Sequence, residues 1–271
     1  MYDLFIFFQC DAASACERLK AAFGKNACIS VIDDDRSYAE FQGGHFFMDI
    51  SDSGYAFSDD ELAQIPYKVS CICDITYSFN DMTSYIIDSL TDYDNSLYVD
   101  DDHDNIMNIC EYKKKLLKDE IKNALTGSAL IRLGNCTDML WLHFEKMGYT
   151  YSLDVQCRWF LKHRKNIICS DIDMYTDNND GSFFEGNFTE YEMKNSLFRV
   201  KSEKLIEEYM PLTVINAEVK DNCQIIIETE KDFLFATVPD DNTDHELWRF
   251  FEKGNTDKPH IVAYPDKITE E

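Results

Sequence analysis

The chain has 271 residues, 45% of them apolar and 14% aromatic, with 51 acidic and 26 basic side chains and a formal net charge of −25. That composition excludes a disordered chain, and the length suits two domains better than one. The acid excess weighs against nucleic acid or an anionic membrane as partner, and no apolar run approaches the roughly 18 residues that a membrane-spanning helix needs.

In chain order, Asp3–Phe8 is a dense apolar run and reads as a buried strand. It carries no basic flank or cleavage site, so a signal peptide is not expected. Residues 11–23 follow, with Asp11 as a cap, an apolar stripe at Ala12, Ala15, Cys16, Leu19 and Phe23, and Gly24 as the stop. Ala27–Ile32 is the next predicted strand, and Gly43-Gly44 turns into His45–Ile50. A short turn near Asp59–Ile65 precedes a long strand, Tyr67–Tyr77, in which Cys71 and Cys73 face one side. Asn80 or Asp81 caps a helix over Met82–Leu90, and Ser96–Val99 with Ile106–Cys110 form a hairpin across an Asp-rich turn. A small sheet with helices on one face, close to the split β-α-β plan, fits this order.

Residues 111–125 form an amphipathic helix with an apolar stripe at Tyr112, Leu116, Leu117, Ile121 and Leu125, ended by Gly127. Strands are then expected at Ala129–Leu133, Asp138–Phe144, Tyr151–Cys157 and Ile167–Met174. A helix over Lys201–Met210 stops at Pro211, and Leu212–Val219 pairs with Cys223–Thr229 across Asp221-Asn222. Leu234–Val238 is a strand, Asp244–Phe251 a short helix or turn, and His260–Tyr264 the closing strand. This half reads as a mostly antiparallel β-rich sandwich or open barrel. The fold class is therefore α+β, with an acidic α+β domain at 1–118 and a β-rich domain at 119–271. The charge is uneven between them: residues 1–110 hold 21 acidic and 5 basic side chains, leaving 30 and 21 for the rest.

Chemistry-bearing patterns are sparse. The chain has no Gly-x-Ser-x-Gly elbow, phosphate loop or dinucleotide fingerprint. Its six histidines do not pair at ligand spacing, and His143 alternates within a strand as a solvent-face or interface residue. None of the ten cysteines makes a Cys-x-x-Cys pair, so they read as reduced thiols of an intracellular protein, and nothing near Cys157 would activate it. An EF-hand alignment on Gly181 puts Thr176 first, Asn178 third and Asp180 fifth, but Asn187 where the bidentate Glu belongs. No catalytic residue, metal or cofactor is expected. The strongest local feature is the crowd of carboxylates at Asp92, Asp94, Asp100, Asp101, Asp102 and Asp104, which self-repel unless a cation or a basic partner relieves them.

The second half carries a composite motif: Gly134, Asp138–Trp141, then Gln156, Cys157 and Trp159, then Ser170, Asp171, Asp173 and Tyr175, and finally Glu246–Arg249. Over about residues 125–264 it resembles a widespread family of small bacterial domains of uncharacterised function. The resemblance implies a setting beside bacterial polymorphic toxins, including contact-dependent growth inhibition systems, and the acidic front domain is similar to immunity domains of that setting. HFEKMGY replaces the family's glycine-rich step, so no site is carried over there. Trp141, Trp159 and Trp248 are expected as core and corner anchors. The functional expectation is a cytoplasmic immunity-type protein that blocks a basic toxin domain, a nuclease, through the Asp-rich turn; its oligomeric state is open. The alternative is a metal- or ligand-binding regulatory module without catalysis.

Overall fold

The computed structural model describes residues 2–24, 27–31, 36–41, 44–51, 57–77, 81–101, 105–184, 194–240 and 244–271. It divides into two compact units, Met1–Leu116 and Leu117–Glu271. Among the described residues, no helix is long and apolar enough to cross a membrane.

The first unit is a sheet with helices packed on it. Its strands are β1 (Tyr2–Phe8), β2 (Ala27–Val31), β3 (Arg36–Phe41), β4 (Gly44–Ser51), β5 (Cys71–Tyr77), β6 (Tyr98–Asp101) and β7 (Met107–Asn108), in the spatial order β2-β3-β4-β5-β1-β6-β7. Every pairing is antiparallel. Because β1 lies antiparallel to both β5 and β6, those two run parallel to each other with β1 between them. The helix α3 (Asp81–Tyr93) makes the crossover, which is the split β-α-β arrangement.

The unbroken apolar run of β1 follows from burial on both faces. Leu4, Ile6 and Phe8 meet α1 (Ala12–Phe23) and α3 in a core that includes Leu19, Phe23, Ile86 and Leu90. On the opposite face, Phe5 and Phe7 pack with Ile65, Ile72 and Phe57. The residues before β5 serve this second core and not the sheet: Tyr67 leaves the expected strand, and its hydroxyl donates to the Phe7 carbonyl at 2.9 Å. Asp11 caps α1 by accepting from the Ser14 amide at 2.8 Å, and Gly24 ends it in a right-handed conformation. The short helix α2 (Asp59–Leu62) begins at a Ser58–Glu61 capping box. β3 was not expected from the sequence, and the expected turn and cap at Gly43 and Asn80 lie outside the described residues.

The second unit opens with the last turns of α4 (Ile109–Leu125), and Gly127 follows in the left-handed region at φ 80°. Its strands are β8 (Ala129–Cys136), β9 (Met139–Lys146), β10 (Tyr149–Val155), β11 (Arg158–His163), β12 (Asn166–Ser170), β13 (Leu212–Val219), β14 (Ile225–Thr229), β15 (Phe233–Val238), β16 (Trp248–Glu252), β17 (Ile261–Ala263) and β18 (Ile268–Glu270). They form one antiparallel sheet in the order β12-β11-β15-β14-β13-β8-β9-β10-β16-β17-β18, which does not close into a barrel.

β13 is the bend in this sheet. Only Leu212 and Thr213 pair with β8, while Val214–Val219 pair with β14. Both halves send side chains into one core, including Leu142, Phe144, Leu153 and Trp248 from one and Trp159, Phe235, Ile225 and Ile227 from the other. The helix α5 (Leu197–Tyr209) closes it with Phe198 and Leu205, and Phe198 meets the Trp159 ring edge-on at 5.8 Å. Two expectations need correction here. Asp244–Phe251 is not a helix, because Trp248 and Phe250 point into the core at strand spacing. His260–Tyr264 does not close the sheet, because β18 pairs outside β17.

Trp248 is fully buried, and its indole Nε1 donates to the Cys223 carbonyl at 2.7 Å. Cys223 sits at φ 60° in the β13–β14 turn, and its Sγ donates to the Lys267 carbonyl. Replacing Trp248 with Phe removes that buried hydrogen bond and opens a void, so stability should fall by about 2–4 kcal/mol in urea unfolding of the full chain.

Candidate functional site

The Asp-rich turn is less uniform than its sequence suggests. Asp92 is exposed at the end of α3. Asp94 is half-buried, accepting from the Ser96 amide at 3.0 Å and the Ser96 hydroxyl at 2.6 Å, with the Arg18 guanidinium 3.4 Å away. Asp100 is 2% exposed, stands opposite Phe5, and accepts from the Asn105 amide at 3.0 Å. Asp101 points to the other face, where Lys115 (3.1 Å) and the Tyr112 hydroxyl (3.0 Å) share its Oδ2. Asp102 and Asp104 lie outside the described residues. Parity explains the split: successive strand residues face opposite sides, so Asp100 and Asp101 cannot both look outward.

The loop with Gly181 uses its acids in the same local way. Asp177 Oδ1 accepts from the Asn179 amide and Asp180 Oδ1 from the Ser182 amide, while Asn187 lies outside the described residues. No group of three or more His, Cys, Asp or Glu that could hold a metal exists among the described residues. Cys71, Cys73, Cys169 and Cys223 are buried thiols outside any disulfide. Burial pushes the half-buried Cys157 thiol up to about 12.

A second surface gathers much of the composite motif. The outward face of β8, β9, β10 and β16 is laid out in rows by the strand register. Gly134, Trp141, Asp154 and Arg249 form one row, and Arg132, His143, Ser152 and Phe251 the next. Gly134 is required by close approach: a Cβ there would lie 2.2 Å from Trp141 Cζ2. Trp141 is half-exposed on this face, so of the three tryptophans only Trp159 and Trp248 are core anchors. The His143 ring stacks on Trp141 at 4.4 Å, and His260 stacks on Phe251 at 4.3 Å. Between these stacks Ser152 is buried, and its hydroxyl donates to Asp154 Oδ1 at 2.7 Å. Burial raises the Asp154 carboxyl above its ordinary range, with the Ser152 bond and Lys253 acting against the rise. Arg249 does not turn to Asp154; it holds Glu246 through two hydrogen bonds and reaches His260 Nδ1 at 3.3 Å.

The remaining motif residues have structural work. Asp173 accepts from the Ser170 amide and from Lys201 Nζ at 2.8 and 2.9 Å, fixing the single 3-10 turn Asp171–Tyr175 against α5. Alternation marked His143 as outward-facing; the rows around it required knowledge of strand order and register.

Two consequences are measurable. Asp100→Ala should lower stability by about 1–3 kcal/mol through the loss of a buried acceptor, whereas Asp92→Ala should stay within about 0.5 kcal/mol, both read by urea unfolding. Burial holds Cys157 in its thiol form at pH 8, so iodoacetamide should label exposed Cys136 while leaving Cys157 intact in the folded chain, as read by mass spectrometry. No protein-family model, no curated protein and no solved structure matches this chain.

Proposed function

We propose that this protein is an immunity-type inhibitor: it binds a basic toxin domain, a nuclease, in the cytoplasm and blocks it by steric and electrostatic occlusion, without turnover. The observation that carries the reading is the charge of residues 1–110, with 21 acids against 5 bases. A field of this sign speeds encounter with a cationic cleft and repels the nucleic acid that such a cleft would otherwise take. The resemblance of the second half to domains found beside polymorphic toxins points the same way. The Asp-rich turn is the proposed contact, with Asp92 as its exposed member among the described residues and Asp94 and Asp101 half-buried beside it. Asp100 supports the turn from within.

The direct test is affinity capture with the product of the neighbouring gene, followed by a nuclease assay of the complex. Capture with loss of nuclease activity supports the reading; failure of both refutes it. Within such a complex, Asp92→Asn combined with Asp94→Asn should slow association several-fold at low salt. The difference should close as salt rises, because exposed charges are screened beyond about 8 Å at physiological ionic strength.

A further inference from the structure

The chain has about twice as many acids as bases, and most described cations are spoken for. Lys113, Lys115, Lys118, Lys201, Lys220, Lys258, Arg199 and Arg249, for example, sit on carboxylates. Lys146 and Lys231 donate to backbone carbonyls. Arg132 and Lys253 are different. Among the described residues neither makes an ion pair, yet both converge on the same imidazole. Arg132 is the direct cross-strand partner of His143, and Lys253 Nζ lies 3.1 Å from His143 Nε2. Lys253 is anchored where it follows β16, its amide donating to the Thr150 carbonyl at 2.7 Å.

The groups around His143 are mostly donors. An ammonium can only donate, so Nε2 accepts from Lys253, which leaves the imidazole proton on Nδ1. Burial first, then Lys253 and Arg132, lower the His143 pKa and keep the ring neutral. The neighbouring hydroxyl, Ser152, is turned away to Asp154. Glu145, two positions along β9, is exposed and opposite Thr150, without an ion pair to either cation. The stack on Trp141 holds the ring in place, so this cluster exists before any ligand arrives. Two cations beside one neutral ring repel each other unless an anion sits between them.

We propose that Arg132, His143 and Lys253 form an oxyanion-binding site on the outward face of β8, β9 and β16, and that its ligand is a phosphate group. A phosphate dianion matches the two cations in charge. The planar guanidinium of Arg132 supplies paired donors, and Lys253 supplies a point charge on a flexible stem. The site is independent of the toxin-inhibitor reading, which rests on the first unit's carboxylates.

The test uses the full chain and inorganic phosphate as the probe, followed through the His143 ring resonances by NMR. Phosphate should move these resonances saturably, while sodium chloride of equal ionic strength should not. Arg132→Gln and Lys253→Gln should each weaken the response about tenfold, the loss of one charge-assisted contact. Lys165→Gln, which removes the same charge from the turn between β11 and β12, should leave it unchanged. A non-saturating response, an equal response to chloride, or variants that titrate like the wild type would overturn the site. Saturation by acetate at lower concentration than by phosphate would overturn the ligand assignment.

Discussion

Eleven strands with a single apolar face have to bury that face against something, and in the second unit they bury it largely against themselves. The bend at β13 makes this possible, because that strand gives its first two residues to one neighbour and the remainder to another. The bond from the Trp248 indole to the Cys223 carbonyl fastens the result. A strand late in the chain is thereby held to a turn between β13 and β14. The left-handed conformation of Cys223 presents that carbonyl, and its thiol reaches the residue before β18. This buried contact adds to the ladder with β10 in placing β16, and with it the outward rows that carry Arg249 and Phe251.

Charge is handled differently on the two sheets. In the first unit, acids that read as a repulsive cluster are separated by strand parity. Asp100 organises a turn from inside, Asp101 meets a lysine and a tyrosine, and Asp94 holds a serine. Each carboxylate is taken up by its own local hydrogen bonds, so the three do not act as one cluster. On the second sheet the unusual element is a pair of cations that make no ion pair among the described residues, Arg132 and Lys253, beside one imidazole. A net charge for the whole chain conceals both arrangements.

Much of the architecture was legible in the sequence because it rests on local signals. Asp11 announces α1, Gly127 ends α4, and the alternation in 139–144 marks β9. What the sequence hid was non-local or carried by unusual turns. β11 and β12 are joined by Arg164-Lys165, with Arg164 at φ 56°, and neither turn residue is the glycine or asparagine that such a backbone favours. Residues 244–251 showed aromatics at a spacing that suited a helix as well as a strand, and only the core position of Trp248 decides. Within the candidate sites, the acids were visible as composition but not by face. The convergence of Arg132, His143 and Lys253 could not be read, because Lys253 lies 110 residues from His143 in the chain.

Among the described residues, β12 and β18 end the open sheet, and edge strands are templates for further strands. Here both edges are poor templates. β18 offers three residues and runs into Glu270 and Glu271. β12 offers five and is entered through Arg164 and Lys165, with Ile167 its one exposed apolar side chain. A second chain adding to either edge would find a short ladder and a charged end. The sheet can therefore remain open without inviting growth from strand to strand.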